Sequence, residues 1–298
     1  MTGVQTCALP ISPAHRLHRA LFAALVPCLI ALIVAVQPPL TAQIALLAPL
    51  VALIGLPHGA LDHRVAGALW PLATLRHHAL FLAGYLGLSA TIVALWILAP
   101  GIALAAFLAY SAWHFSDDWR QDIGLIQSLP LGTAVITLPA LAWQPQVATL
   151  FTYLAPPATA AALAAVLHIL AIGAFALAAL SLACNARRHP WFIVECTALA
   201  AAALLTQPLI YFALYFCGLH SPRHFLLTAD QLGLTPAQGL RAALPLTTAT
   251  LAVVTCAGLA LIQTNLSLEG TTLTLIFAGL AALTVPHMLL TERFRALA

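Results

Sequence analysis

The sequence has no lysine, because all eleven of its basic residues are arginine. A retinal-binding opsin attaches its chromophore through a lysine amine, so this absence excludes that class of membrane protein. Charged residues of either sign are also scarce, at 6% of the chain, whereas hydrophobic residues make up 62%. A soluble domain carries about a quarter charged residues. The composition therefore predicts an all-α, polytopic integral membrane protein.

Two common kinds of metal motif are missing as well. The six cysteines are scattered, mostly inside apolar runs, and form no C-x-x-C pair: Cys7, Cys28, Cys184, Cys196, Cys217 and Cys256. They are expected to be small buried apolar residues rather than a disulfide framework or a thiolate metal site. The sequence also lacks the H-E-x-x-H motif, whose glutamate supplies the base of a zinc hydrolase. The small net charge of +3 gives no indication of nucleic-acid binding.

Apolar runs separated by proline and glycine predict ten transmembrane helices. Their approximate ranges are 20–36, 40–57, 77–99, 101–116, 123–142, 158–184, 190–206, 208–220, 239–263 and 271–291. The eighth span is short, which indicates a half-helix or a tilted one, and residues 144–155 are expected to form a short interfacial helix. Residues 13–298 are predicted to be one transmembrane domain. Residues 1–12 resemble translated sequencing-adapter sequence and are left out of the fold prediction.

The arginines predict how these spans are oriented. With ten spans and a cytoplasmic N-terminus, all eleven arginines fall on the cytoplasmic side. Cytoplasmic loops of membrane proteins are enriched in arginine and lysine, so this complete segregation favours an even number of spans. Both termini are therefore predicted to be cytoplasmic.

Histidines collect near the cytoplasmic ends of the spans that run inward. His58 ends span two, His114 ends span four and His220 ends span eight, while His287 lies near the end of span ten. Such groups are costly to bury in hydrocarbon unless they bind something. His220 and His224 are spaced to share one face of a helix. We therefore predict that His58, His114, His220 and His224 bind one metal ion.

Neighbouring residues are predicted to hold these ligands or to line a pocket. Asp62 is placed to accept a proton from the second ring nitrogen of a ligating histidine, or to cap a helix. Arg223 is expected to contact the carboxylate of Asp117 or Asp118. Pro222 leaves open whether a new helix begins in the H-S-P-R-H stretch or whether the helix kinks there. The full set of these candidates is Asp62, His63, Trp113, Asp117, Asp118, Tyr215, Arg223 and His287.

The ligand type narrows the choice of metal. Neutral imidazoles suit iron, zinc, copper and nickel. Four imidazoles without a carboxylate leave an iron(II) ion with its full charge and with room for O₂, although the residues alone leave copper and zinc open.

Three motifs together resemble the Brp/Blh family of membrane β-carotene 15,15′-dioxygenases. They are G-x-P-H-G-x-x-D at Gly55 to Asp62, W-H-F-x-x-D at Trp113 to Asp118 and H-x-x-x-H at His220 to His224. The resemblance extends from about Ala20 to the C-terminus. It implies a prokaryotic cytoplasmic-membrane enzyme that uses O₂ to cleave β-carotene at its central double bond, giving two molecules of all-trans-retinal.

The same resemblance implies the cofactor and the partners. Iron(II) would be held by the four histidines that match the family motifs, namely His58, His114, His220 and His224. The retinal would be passed to a microbial rhodopsin. Because a C40 hydrocarbon dissolves only in the bilayer, the substrate is expected to enter sideways between helices.

Two alternatives belong to other classes. The stretch from His58 to His63 is similar to the H-x-x-x-x-D-H of nickel and cobalt permeases but is one residue short. A divalent metal-ion transporter needs polar ligands at mid-bilayer, and Glu195 is the nearest candidate within the spans. A di-iron membrane desaturase needs several histidine boxes, whereas this sequence has one.

Overall fold

The structure is a computed structural model that describes residues 12–263 and 266–295. In these ranges every regular element is helical. The helices are α1 (Pro13–Val36), α2 (Leu40–Leu69), α3 (Leu75–Leu98), α4 (Pro100–Ile123), α5 (Leu125–Thr152), α6 (Pro157–Asn185), α7 (Pro190–Leu205), α8 (208–231), α9 (Pro236–Ile262) and α10 (Leu268–Arg295). Cys7 and the adapter-like segment, apart from Ser12, lie outside the described residues. The other five cysteines are free thiols.

The outer surface of the bundle is apolar. Large side chains such as Leu98 (83% exposed) and Ile126 (88% exposed) point outward, which only a lipid environment accommodates. Seven of the described helices are long and apolar enough to cross a membrane, namely α1, α2, α3, α5, α6, α9 and α10. The all-helical, multi-pass class is therefore confirmed. Each of the ten predicted spans coincides with a helix, and how many of them cross the bilayer stays a prediction.

Several helices are longer than the hydropathy of the sequence predicted. Helix α2 continues to Leu69, α4 to Ile123 and α8 to residue 231, so the predicted ends at 57, 116 and 220 were too early. Polar residues follow the histidines at these points, and the sequence prediction assigned them to loops although they are helical. The separate helix expected at 144–155 corresponds to the last part of α5, because non-helical backbone angles at Trp143 (φ −126°, ψ 29°) divide α5 into two helical segments, of which the second ends at Thr152.

Two π-helical segments precede the histidines of α2 and α8. In α2 the segment is Val51–Gly55, followed by Leu56–Gly59 and, after a turn, Asp62–Leu69. In α8 it is Ala213–His220, between Pro208–Phe212 and Ser221–Gln231. Segments of this kind often occur at functional sites, because the extra residue redirects the side chains that follow.

The two π-helical segments approach each other closely. A Cβ on Gly55 would lie 2.8 Å from Cε1 of Phe216, so only glycine allows this contact. Pro222 stands in the first turn of the helical segment that follows His220, where no backbone donor is required. The helix therefore runs continuously through H-S-P-R-H.

Helices α4 and α5 touch through their backbones. A Cβ on Gly132 would lie 2.5 Å from the amide nitrogen of Ser116 and would also meet the carbonyl oxygen of Ala112. This glycine sets the position of the α4 segment that carries His114.

Ion pairs join the ends of several helices at one end of the bundle. His15 of α1 lies 3.3 Å from Asp230 of α8, and Arg295 of α10 lies 2.8 Å from Asp117 of α4. Because Asp117 is close to His114, both the start of α1 and the end of α10 belong to the end of the bundle that holds the histidines.

Candidate metal centre

Three imidazoles from three helices meet in the interior of the bundle. The Nε2 atoms of His114 and His220 are 3.2 Å apart, and ring nitrogens of His58, His114 and His220 all lie within 4.8 Å of one another. Two nitrogens bound at about 2.1 Å to one metal, at tetrahedral or octahedral angles, are separated by about 3.0–3.4 Å. The three rings therefore fit a shared metal ion.

In His58 and His220, the ring nitrogen that faces away from this point forms a hydrogen bond with an oxygen atom. His58 donates from Nδ1 to the carbonyl oxygen of Gly55, one turn earlier in α2. His220 directs Nδ1 at the carboxylate of Asp118, with 3.3 Å to each oxygen. A hydrogen bond at one nitrogen fixes the tautomer and leaves the other nitrogen free to bind a metal. Both residues therefore present Nε2 to the centre.

Asp118 is buried and contacts two of the predicted ligands. Its Oδ2 accepts a hydrogen bond from the Tyr215 hydroxyl at 2.7 Å, and its Oδ1 lies 3.4 Å from Nε2 of His224. The ring centroid of His224 is 4.4 Å from that of His220 and 5.4 Å from that of His114. The structure thus places His224 beside the centre, with one of its two nitrogens turned towards Asp118.

Arg223 contacts a nearby carboxylate, but this is Glu195 and neither of the two named examples, Asp117 and Asp118. It donates to the backbone carbonyl of Asp118 at 3.0 Å and to Glu195 of α7 at 2.6 Å. Glu195 is completely buried, and Arg19 of α1 lies 3.6 Å from the same oxygen. The arginine therefore turns towards α7, whereas the carboxylate of Asp118 is contacted by His220 and His224.

The N-terminal histidines, which the sequence gave no reason to select, support this region. His18 of α1 donates from Nε2 to the carbonyl oxygen of Gly218 at 2.9 Å. That oxygen belongs to the π-helical segment of α8, in which part of the backbone lacks the usual α-helical partner. The hydrogen bond therefore connects α1 to the segment of α8 that carries His220.

A second histidine and carboxylate pair lies on the opposite flank of the centre. His287 of α10 donates from Nδ1 to Oδ1 of Asp62 at 2.7 Å, and the Tyr85 hydroxyl donates to Oδ2 at 2.9 Å. The His287 ring centroid is 5.2 Å from that of His58 and 5.6 Å from that of His114. Asp62 was predicted from sequence to orient a ligating histidine or to cap a helix, and its histidine partner is His287.

The remaining candidates lie further out. Asp117 accepts hydrogen bonds from Arg295 at 2.9 Å and from Arg120 at 3.4 Å, and its Oδ2 is 3.8 Å from Nδ1 of His114. His63 bonds to the carbonyl oxygen of Ala60. Trp113 is partly exposed, and the Arg120 guanidinium lies over its ring at 5.6 Å.

An apolar cavity opens on one side of the histidines. His58, His114 and His287 lie in its wall, and its volume is about 140 Å³. A second cavity of about 120 Å³ lies next to it. The two share a wall formed by Phe107, Ser111, Phe115 and Phe212.

The first cavity reaches the outer surface of the bundle. Leu82 and Leu86 of α3 line it and are 47% and 54% exposed, while Leu246 and Thr250 of α9 line it from the neighbouring side. Since this surface faces lipid, the cavity has a sideways connection to the bilayer.

Comparison with known proteins identifies related sequences. The family model described as Beta-carotene 15,15'-dioxygenase matches residues 49–295. A protein named Beta-carotene 15,15'-dioxygenase, from uncultured marine bacterium 66A03, is 27% identical over 250 residues, which are 82% of this chain and 90% of that protein. No solved structure matches the chain.

Proposed function

The chain belongs to the Beta-carotene 15,15'-dioxygenase family, and from this premise we propose that it cleaves β-carotene at the central 15,15′ double bond with O₂, giving two molecules of all-trans-retinal. One structural observation carries the proposal: of the three imidazoles with mutually close nitrogens, two, those of His58 and His114, line an apolar cavity inside the membrane bundle. A reactive centre and a site for a hydrocarbon are thereby adjacent.

The cofactor in this proposal is Fe²⁺, held by His58, His114, His220 and His224. The first three have ring nitrogens within 4.8 Å of one another, and His224 belongs to a second group of this kind with His220 and Asp118. A donor set of neutral imidazoles suits iron(II) among the transition metals. Bound Fe²⁺ would supply the activation of O₂, for which no side chain of the protein is suited.

The residues around the histidines hold the imidazole rings in their orientations. Asp118 accepts a hydrogen bond from Nδ1 of His220, and the Tyr215 hydroxyl donates to the same carboxylate. The Asp118 carbonyl is in turn fixed by Arg223, which Glu195 anchors. Such partners behind a ligand are worth about 10–100-fold in metal affinity or activity.

The cavity accounts for the choice of substrate. Apart from the histidines its wall is mainly leucine and phenylalanine with two threonines, a serine and Tyr85. Such a lining binds a polyene by excluding water and offers few polar partners for a hydrophilic substrate. We place the central double bond of the carotene in the first cavity, next to the histidines that line it. Entry follows the opening at Leu82 and Leu86.

The proposed location is the cytoplasmic membrane of a prokaryote, and the proposed recipient of the product is a microbial rhodopsin. Retinal is an aldehyde that forms a Schiff base with a lysine amine. Because this chain contains no lysine, its own side chains cannot trap the product in that way. The product is thus free to leave through the lipid.

Expression in a β-carotene-producing bacterial host tests the proposal. Loss of carotene with formation of retinal, identified by chromatography, supports it. Intact carotene in aerated, iron-replete cells that contain the protein in their membranes contradicts it. In that case, uptake of nickel or cobalt by the same cells would support the transporter alternative.

A further inference from the structure

We propose that His287 supplies an additional nitrogen to the metal centre from the cavity side, with Asp62 and Tyr85 holding it for that role. The inference rests on the proposed metal centre. The family motifs assign ligands on α2, α4 and α8, whereas His287 lies on α10 and belongs to none of them.

The free nitrogen of His287 is the first argument. Its Nδ1 donates to Asp62, so Nε2 carries the lone pair, yet Nε2 is buried and has no hydrogen-bond partner among residues 12–263 and 266–295. Leaving a buried polar atom unpaired costs about 1–3 kcal/mol, and such atoms in a folded protein call for a specific reason. A metal ion bound to Nε2 would give this nitrogen a partner without any other change in the structure.

The ring positions are the second argument. The centroid of His287 is 5.2 Å from that of His58 and 5.6 Å from that of His114. The pair His58 and His220, which belongs to the closest group of ligand atoms, has its centroids 5.6 Å apart. The His287 ring is therefore as close to its neighbours as the rings of that pair are to each other, although its nitrogens lie outside the group whose atoms are all within 4.8 Å of one another.

The arrangement of hydrogen bonds is the third argument. His58, His220 and His287 all place an oxygen acceptor at Nδ1 and turn Nε2 inward. His224 differs, because its Nε2 is the atom that faces a carboxylate. His287 thus has the orientation of the central ligands.

The hydrogen bonds that hold His287 involve more residues than a contact between two helices requires. Tyr85 of α3 donates to the second oxygen of Asp62 and is also 3.5 Å from the carbonyl of Leu283 in α10. Asp62, Tyr85 and His287 therefore join α2, α3 and α10, and both Tyr85 and His287 line the cavity. A ligand at this position would hold the metal close to the substrate.

Titration of the purified, metal-free protein with Co²⁺ tests this role, because the visible absorption of Co²⁺ depends on the number and type of its ligands. We expect H287A to lower Co²⁺ affinity by more than about 100-fold and to change the spectrum. D62N is expected to lower the affinity by about 10–100-fold. The control is H168A, since His168 bonds to the Ala140 carbonyl in α6 and α5, away from the centre.

Chemical rescue separates loss of a ligand from loss of the fold. Free imidazole added to H287A enters through the cavity and is expected to restore Co²⁺ binding and the wild-type spectrum. If H287A cannot be purified, H287Q gives the same comparison, because its amide can still donate to Asp62 but lacks the imidazole nitrogen.

The outcomes distinguish this inference from the proposal on which it rests. Unchanged Co²⁺ affinity and spectrum in H287A or H287Q, together with a wild-type protein that binds metal and cleaves carotene, would overturn only the role of His287. A wild-type protein that binds neither Fe²⁺ nor Co²⁺ would overturn both.

Discussion

The Nε2 atoms of His114 and His220 lie 3.2 Å apart, although 106 positions separate the two residues in the sequence. Asp118, one turn after His114, is also the carboxylate that receives Nδ1 of His220. Helix α4 therefore supplies both a candidate ligand and the group that orients a candidate ligand on α8. This double connection explains why the motif W-H-F-S-D-D needs its histidine and its second aspartate on the same face.

Replacement of the central histidines is the first prediction. H58A, H114A and H220A should each lower retinal formation by more than about 100-fold, because each removes a nitrogen from the metal. The measurement is retinal produced per amount of protein in membranes, with bound iron determined on the same samples. H168A should retain both, and iron retained at the wild-type level in any of the three variants would remove that residue from the centre.

Substitutions of Asp118 and of its partner Tyr215 are predicted to lower iron affinity to different extents. D118N should lower iron affinity by about 10–100-fold, because an amide oxygen is a weaker hydrogen-bond acceptor than a carboxylate and the amide can turn its NH₂ towards His220 and His224. Y215F removes only one hydrogen bond to the same carboxylate and should cost about 1 kcal/mol, or roughly fivefold. Iron titration of the purified variants measures both effects, and a larger loss in Y215F than in D118N would contradict the assigned roles.

The buried pair of Glu195 and Arg223 is predicted to act on stability. E195A leaves the arginine enclosed without its acidic partner and should lower the free energy of unfolding by about 3–5 kcal/mol. The double variant E195M/R223M removes both charges and should be less destabilised than E195A. Unfolding in mixed micelles at rising SDS fractions measures the difference. Equal stability of E195A and the wild type would show that the pair is not enclosed.

Two glycines give a matched test of helix packing. G132A forces a methyl group against the backbone of α4 and should destabilise the protein by more than about 3 kcal/mol, because a backbone cannot turn aside as a side chain does. G87A, in α3, meets nothing within 4 Å and should be neutral or slightly stabilising. The yield of folded, monodisperse protein and its thermal stability in detergent report the difference. Similar behaviour of the two variants would contradict the close contact of α4 with α5.

The sideways opening predicts an effect on substrate entry. L86W narrows the cavity between α3 and α9, and should raise KM for β-carotene severalfold with a smaller change in kcat. V93W adds the same bulk to the lipid-facing surface of α3, outside the cavity lining, and should leave both values unchanged. Initial rates in detergent micelles at varied carotene concentrations measure them. Equal KM values for both variants would indicate another entry route.

Much of the fold could be predicted from the sequence because apolar runs define membrane helices directly. The errors occurred where polar residues continue a helix, as in Asp62 to Leu69 of α2 and Ser221 to Gln231 of α8. Hydropathy reports the lipid-facing length of a helix, whereas these segments are stabilised by contacts inside the bundle. The π-helical segments left no signal, since their residues are as apolar as their neighbours.

The sequence motifs identified residues of the site, but which side chains contact one another inside the site could not be predicted. Histidines at one depth indicated a common centre, and the structure does bring His58, His114 and His220 together. Which carboxylate contacts which histidine depends on the rotation of the helices, so the sequence could not name His287 as the partner of Asp62 or Glu195 as the partner of Arg223. Glu195 carried a signal that could have been used, because a lone glutamate in an apolar helix requires a buried cation.

The most direct test of the proposed chemistry uses purified protein freed of metal by a chelator and supplied with β-carotene in micelles. The account predicts that Fe²⁺ and O₂ together restore activity, that two molecules of retinal form for each carotene consumed, and that H114A and H220A remain inactive after reconstitution. Cleavage without metal or without O₂, or full activity in either variant, would contradict a histidine-bound iron centre as the site of the reaction.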